Sequence, residues 1–340
     1  MKFAVGYQVP DNGEGFCEIV KNYHDSIAEL YFAWTGQPSG RAKLGEKRGL
    51  IDWTAQERLE YELVEIKKLG VKLDILFNSN CYGAHAVSAK LENEVVSILE
   101  HLADTVGGVD IVTTTSLAVA RTVKKFFPNI EVRASVNMRI GNVNSMSYVS
   151  GLFDSFYIQR DFQRNINYVR DVKQWCSKNG KSLFMLANSG CLFCCPGQSF
   201  HDNLVAHDAE IDETKNIENW TPHVCWNLYK KRENWPAILQ STWIRPEDIH
   251  NYEGIIPVMK LATRMHSHPR MVIGAYANQS FSGNLLDLFE PGFSSAFSPY
   301  YIDNKSFPDD FFEKTSTCSK NCEICKYCAD ALEKVIKTTP

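Results

Sequence analysis

No stretch of the 340-residue chain is apolar over the length that a membrane-spanning helix needs, and Met1 to Pro10 carries too short an apolar run for a signal peptide. We therefore expect a protein with no membrane partner, working in a reducing, cytoplasmic compartment. Charge of one sign is also scarce. A formal net charge of −4 gives no electrostatic footprint for wholesale binding to nucleic acid or to an anionic membrane, and leaves open only a local basic groove. Hydrolytic signatures are missing too: there is no Ser-His-Asp arrangement and no H-E-x-x-H motif. Disorder is excluded by a composition that is 44% hydrophobic and 22% charged, ordinary for a large globular core.

What the chain has in unusual measure is clustered cysteine. There are eleven, too tightly grouped in too long a chain for a secreted disulfide framework, so the clusters point to metal. The central group is Asn188-Ser189-Gly190-Cys191-Leu192-Phe193-Cys194-Cys195-Pro196-Gly197, directly after the apolar run Leu183 to Leu186. A strand followed at once by thiols places them at its carboxyl end, where α/β folds keep their sites. Thiolates take soft metals and iron–sulfur clusters, and Cys191 and Cys195 are close enough in sequence to face one centre. Neighbouring residues seldom both turn inward, so we expect Cys195, stiffened by Pro196, to ligate and Cys194 to pack.

The first two-thirds of the chain alternates short apolar runs with helical patterns. Strand candidates are Phe3–Val5, Ile27–Phe32, Leu73–Phe77, Val109–Val112, Val132–Val136, Phe156–Ile158, Leu183–Leu186 and Val258–Leu261. Helical stripes include Leu59, Leu63 and Ile66, behind an expected capping box of Thr54 and Glu57, and Leu91, Val95, Ile98, Leu99 and Leu102. Eight strands with crossover helices predict a (β/α)8 barrel of the TIM type; an open doubly wound sheet is the alternative.

Polar residues follow nearly every predicted strand: Asn78 and Asn80, Thr113 to Thr115, Asn137 and Arg139, Arg160 and Asp161, Asn188, and Arg264. In a barrel these converge on one face. Arg160 and Arg264, with Arg139, suit a carboxylate or phosphate, and Asp161 is available as acid, base or arginine partner, so Arg160, Asp161 and Arg264 are the expected catalytic group. Arg41, at the end of the loop Gly36-Gln37-Pro38-Ser39-Gly40, joins Asn137 and Arg139 as an expected contact to a bound cofactor or small ligand, the loop glycines allowing close approach.

Residues 199–242 are too long and varied for a plain loop, and we expect them to fold over the barrel mouth. They carry Cys225, the expected third ligand, with Trp220, Trp226 and Trp235 as a shield. A fourth ligand could be Cys81, Cys194 or a thiol of the tail. That tail holds Cys318, Cys322, Cys325 and Cys328 in the spacing C-x3-C-x2-C-x2-C, able to wrap a second iron–sulfur centre or a structural zinc.

The Asn188 to Ser199 stretch resembles the signature of peptidase family U32, the collagenase-like peptidases. Tyr157-Ile158-Gln159-Arg160-Asp161 is similar to that family's strand ending in Arg-Glu, and Arg245-Pro246-Glu247-Asp248-Ile249 through Lys260-Leu261-Ala262-Thr263-Arg264 to its Asp-Leu segment and Lys-Ile-Glu-Gly-Arg strand. The resemblance covers roughly residues 1–290. It implies a barrel holding a 4Fe–4S cluster, with Cys191 and Cys195 matching the first ligating pair and Cys225 the next. It also implies relatives that hydroxylate transfer RNA, ribosomal RNA or ubiquinone precursors without molecular oxygen, some with prephenate as oxygen donor. Two departures stand out: Ala262-Thr263 replaces Glu-Gly, and the Cys-rich tail lies outside the general pattern.

The resulting expectation is a barrel over residues 1–265 with a cluster-binding insertion near 188–242, a wrap over 266–317 and a metal-binding tail over 318–340. Its leading function is iron–sulfur-dependent modification, such as hydroxylation, of an RNA base or small aromatic, with a prephenate-like carboxylate bound. The alternatives are a non-catalytic iron–sulfur protein passing electrons to a protein partner, and a peptidase.

Overall fold

Short runs rich in Val, Ile, Leu and Phe become parallel strands, each ended by residues that start turns or helices. In the computed structural model, which describes residues 1–9, 14–41 and 51–339, they are β1 (Lys2–Gly6), β2 (Ile27–Ala33), β3 (Lys72–Phe77), β4 (Ile111–Thr114), β5 (Glu131–Ala134), β6 (Ser155–Tyr157), β7 (Ser182–Leu186) and β8 (Val258–Lys260). Each pairs with the next, and β1 pairs with β8 through Lys2–Val258, Phe3–Met259 and Ala4–Lys260. The ring is closed, which selects the barrel over the open sheet.

The helices of the barrel wall are α1 (Phe16–Asn22), α2 (Trp53–Lys68), α3 (Ala89–Val106), α4 (Leu117–Phe126), α5 (Val143–Val149) and α6 (Ile166–Lys178). In α3, Leu91, Val95, Leu99 and Leu102 face the sheet; Ser88 accepts from the Leu91 amide at the start and Gly107 ends the helix with φ +78°. The expected capping box at Thr54 does not form. The helix starts earlier, because the Asp52 carboxylate accepts from the Ala55 amide. Likewise β5 stops before Val136, since Ser135 takes the Asn137 amide and begins a single 3₁₀ turn.

Buried apolar side chains fall into two groups. The large one fills the space between sheet and helices; a small one, Ala4, Tyr31 and Leu76 with Val258 against them, lies inside the ring. The rest of that interior is charged. Arg133, fully buried, donates to Glu29 at 2.6 and 3.1 Å and to Glu131 at 2.9 Å, and lies 3.7 Å over the Phe184 ring. Asp74 and Lys260 complete the set. Burial pushes the Asp74 carboxyl up, despite Arg133 and Lys260, and pushes the Lys260 ammonium down despite Asp74.

A carboxyl raised on folding binds more protons in the folded than in the unfolded chain, so its contribution falls as pH rises through its folded value. For Asp74 that window runs from 3.8 to about 7. Asp74→Asn keeps an acceptor for the Thr113 hydroxyl, which now donates to the carboxylate at 2.8 Å. The stability of this variant relative to the parent is expected to improve steadily as pH rises across that window, read by urea melts at several pH values. A pH-independent difference would show that Asp74 is not held against its charge.

Between β7 and β8 the chain inserts α7 (Gln198–Ala206), α8 (Asp208–Asp212), α9 (Val224–Tyr229) and α10 (Pro236–Gln240). After β8 come α11 (Pro269–Ala277), α12 (Ser294–Phe297), β9 (Tyr300–Ile302), α13 (Phe311–Ser316), α14 (Tyr327–Val335) and β10 (Ile336–Thr338), which pairs antiparallel with β9. The two segments are stitched by aromatics: Trp243 stacks on Phe289 at 5.0 Å and on Phe311 at 5.8 Å. Asn188, fully buried at the end of β7, donates to the Ala262 and Leu288 carbonyls and accepts from the Ala262 amide, tying the barrel rim to the returning chain. Among the described residues no helix is long and apolar enough to cross a membrane.

Candidate active site at the barrel mouth

The carboxyl ends of the strands surround a cavity lined by Tyr31, Arg41, Asn78, Asn137, Arg160, Ser189, Lys260, Arg264 and Glu290. Four of the six side chains expected to bind or react, Arg41, Asn137, Arg160 and Arg264, are therefore together. Arg264 follows β8, and its Nη1 is buried with no hydrogen-bond partner. Burial pushes its guanidinium down, Tyr31 and Glu290 oppose this, and Arg41 adds to it. Arg160 follows β6, and its Nη1 lies 3.2 Å from both the Ser189 hydroxyl and the Cys191 sulfur.

Arg41 stands 3.7 Å from Glu290 and 3.7 Å from Asp202. Burial acts to lower its pKa, yet the value is raised overall by Cys191, Glu290 and Asp202. The glycine before it serves the protein rather than a ligand. A Cβ on Gly40 would press on the Asn137 amide and come within 2.9 Å of the Asn78 carbonyl, while the Gly40 amide donates to Asn78 at 3.0 Å.

Two expected residues do other work. Arg139, in a left-handed conformation (φ 53°), donates to Ser199 at 2.6 Å and to Asp202 at 2.7 Å, pinning α7 to the barrel. The Asp161 carboxylate accepts from the Cys194 amide at 2.6 Å and from Gln159 at 2.6 Å, so it shapes the cysteine loop instead of facing the cavity. Asp202, Glu290 and Lys260 were not anticipated. Asp202 is nearly fully buried and receives Arg139, Asn80 and Gln198.

All eleven cysteines are free thiols. Cys191, Cys195 and Cys225 are mutual electrostatic neighbours: burial raises Cys195 and pushes Cys225 up to about 11, and in both the Cys191 thiol adds to the rise. Cys194 is exposed with φ 49° and so does not pack, whereas Cys195 beside it is half-buried. Cys81 is half-buried in its own loop, where its sulfur accepts from the Gly83 amide. Among the described residues no three Cys, His, Asp or Glu side chains are drawn within reach of one metal ion. The donor set still suits a soft, anionic centre, with three sulfurs, the Arg160 guanidinium against Cys191 and Arg41 in the same cavity wall as Arg160.

A groove leads inward past His201, His223, Cys225, Trp226 and Met265 and shares Arg41 and Glu290 with the cavity. The His201 and His223 rings lie 4.6 Å apart. Burial pushes His201 down to about 4, with Arg41 and His223 reinforcing, so it stays neutral near pH 7. Of the expected shield, Trp226 lines the groove, Trp235 stacks on Phe297 at 4.5 Å and Trp220 is exposed.

No family model matches the chain. An uncharacterized protease of Methanocaldococcus jannaschii is 26% identical over 296 residues, covering 83% of this chain and 82% of its own. A U32 peptidase structure superposes with a TM-score of 0.54 at 14% identity, over 76% of this chain and 92% of that one. The resemblance to the U32 peptidases stands. A family GH113 β-1,4-mannanase superposes with a TM-score of 0.42 at 10% identity, over 82% of this chain and 98% of that one. In the barrel described here, the cavity, the groove and Cys225 lie on the same rim.

Proposed function

We propose that this U32-type barrel is an iron–sulfur enzyme that holds a small carboxylate at its mouth while modifying an RNA base or a small aromatic substrate, with oxygen-independent hydroxylation as the reaction. The observation that carries the reading is the buried, unpartnered Nη1 of Arg264 in a cavity where, among the described lining residues, Arg41, Arg160 and Lys260 outnumber the one carboxylate, Glu290. Such an excess of donors calls for an anion, and a carboxylate can take two guanidinium nitrogens at once. A 4Fe–4S cluster held by Cys191, Cys195 and Cys225 would supply electron transfer beside the bound carboxylate. The chain's own groups do the rest: Arg264 and Arg160 orient the anion, neutral His201 and Trp226 line the approach, and Asp161 fixes the cysteine loop.

Peptide hydrolysis, the activity in the archaeal relative's name, finds less support. A nucleophilic cysteine needs a lowered pKa, whereas burial raises Cys194, Cys195 and Cys225.

Anaerobically purified protein is expected to be brown, to contain iron and sulfide, and to bind prephenate or a related dicarboxylate in calorimetry. Arg264→Ala and Arg160→Ala should each weaken that binding by about tenfold to a hundredfold, the worth of one charge-assisted contact of about 1.5–3 kcal/mol. The cluster spectrum should persist. Arg160 also touches Cys191, so Arg264 is the arm that reads binding alone. Cys191→Ser should bleach the protein. Peptide cleavage that survives loss of the cluster, or no carboxylate binding in the intact protein, would overturn the proposal.

A further inference from the structure

The tail cysteines lie outside the barrel mouth, and their surroundings carry a charge imbalance of their own. Cys318 ends the chain leaving α13, and its sulfur accepts from the Lys320 amide at 3.3 Å, where Lys320 adopts a left-handed φ of 61°. A turn over residues 321–325 carries Cys322 and Cys325, and Cys328 sits in the first turn of α14. Amide-to-sulfur contacts and tight turns of this kind are how a short run folds its thiols around one centre. No three of these thiols are within reach of one metal ion as they stand, but the turn and the helix start carry all four in one short segment.

Two cations meet this group. Arg164 is 4% exposed, stacks on Trp243 at 4.2 Å, and donates Nε and Nη1 to the Trp243 and Leu239 carbonyls at 2.7 Å each. Its Nη2 is buried with no partner, and among the described residues it forms no ion pair with a carboxylate. Asp248, whose charge also acts on Arg164, is already held at 2.9 Å by both nitrogens of an Arg245 fork. Burial pushes the Arg164 guanidinium down to about 10, and the acidic group that most opposes this is Cys328. The second cation, Lys320, is half-buried over the Phe193 ring at 5.0 Å. Two buried or half-buried cations near neutral thiols are unfavourable when, among the described residues, neither forms an ion pair with a carboxylate. Four thiolates around a doubly charged zinc ion or iron–sulfur core leave two negative charges, which match the two cations.

We propose that Cys318, Cys322, Cys325 and Cys328 form a four-thiolate metal centre, separate from the three barrel thiols and neutralised by Arg164 and Lys320. Phe193 belongs to the loop between Cys191 and Cys195, so Lys320 joins the tail centre to the loop that carries the barrel thiols. The tail thereby becomes a metal-dependent brace for the barrel rim. This inference stands whether or not the barrel mouth binds a carboxylate.

The test uses the full chain, purified anaerobically, with iron, sulfide and zinc measured per chain. Cys322→Ser/Cys325→Ser is expected to lose one centre, read as one zinc or as one cluster's iron and sulfide, while the Cys191-dependent absorbance remains. Zinc loss without sulfide identifies a zinc brace; matched iron and sulfide loss identifies a second cluster. Lys320→Met, which leaves the hydrogen bonds of Arg164 in place, should lower by about tenfold the chelator concentration that strips the tail metal, as expected for one lost charge-assisted contact. Arg164→Met should do so at least as strongly. Unchanged metal content in the double-serine variant would overturn the proposal. So would loss of the Cys191-dependent absorbance from a still-folded barrel, which would mean one shared cluster. Unchanged chelator sensitivity in both methionine variants would overturn the neutralising role.

Discussion

Arg133→Met is expected to destabilise the protein by about 3–5 kcal/mol, the usual range when one partner of a buried charge pair is removed. The reason is what remains. Glu29 is 4% exposed and would lose both guanidinium contacts, at 2.6 and 3.1 Å, while Glu131 loses its contacts to Arg133 but keeps the Ser155 hydroxyl, and Ser155 loses the donor at 3.1 Å. Methionine fills most of the volume over Phe184 but supplies no donor. The double variant Glu29→Gln/Arg133→Met should be less destabilised than the sum of the single variants, because the uncompensated carboxylate is gone. Urea unfolding of the four proteins measures this directly. A single-variant loss below about 1 kcal/mol would show that water or a rearranged Lys260 satisfies Glu29 without help from the arginine.

Trp243→Ala should be as severe, at about 3–5 kcal/mol for a fully buried large aromatic. Its ring is the shared surface between barrel and returning chain, stacked on Phe289 and Phe311 with Phe307 at its edge, and its Nε1 donates to Ile238 at 2.8 Å. It also carries Arg164 on its face. Truncation should therefore release the segment around α13 before the barrel melts. Limited proteolysis is expected to cut near residues 303–317 in the variant under conditions that leave the parent whole. Trp243→Phe, which keeps the stacking and loses the indole donor, should retain most of the stability. Equal protection of this segment in Trp243→Ala would mean that α10 and α14 hold it without the tryptophan.

The barrel was legible because its strands are short apolar runs whose signal is local. All eight strands lie within two residues of where those runs place them. α5 was not legible, being seven residues with a single buried side chain, Met146. At the site, Arg41, Asn137, Arg160 and Arg264 could be read because strand ends share one rim whatever the side-chain detail. Glu290 could not. It reaches the cavity on a segment about a hundred residues past β7, through a bridge to Ser189 that nothing in the sequence advertises. Asp202 was equally hidden, since its role depends on α7 folding back onto Arg139. A signal did exist for the interior charges: Glu29, Asp74 and Arg133 each interrupt an apolar strand at a position facing the same way as Tyr31 or Leu76. A charge in the middle of a buried strand asks for a partner across the ring.

The closure of the ring also sets an order of events during synthesis. β1 emerges first, yet its neighbour on one side is β8, and the Gly6 amide finds its acceptor on the Thr263 hydroxyl, 257 positions later. Until that part of the chain has left the ribosome, β1 has one open edge, and the inward-facing Glu29 and Arg133 look into a ring that is not yet shut. Such long-range pairing is slow and leaves strand edges available to other chains. The nascent protein is therefore most exposed to aggregation in the interval between β7 and β8, while the insertion that separates them is being made.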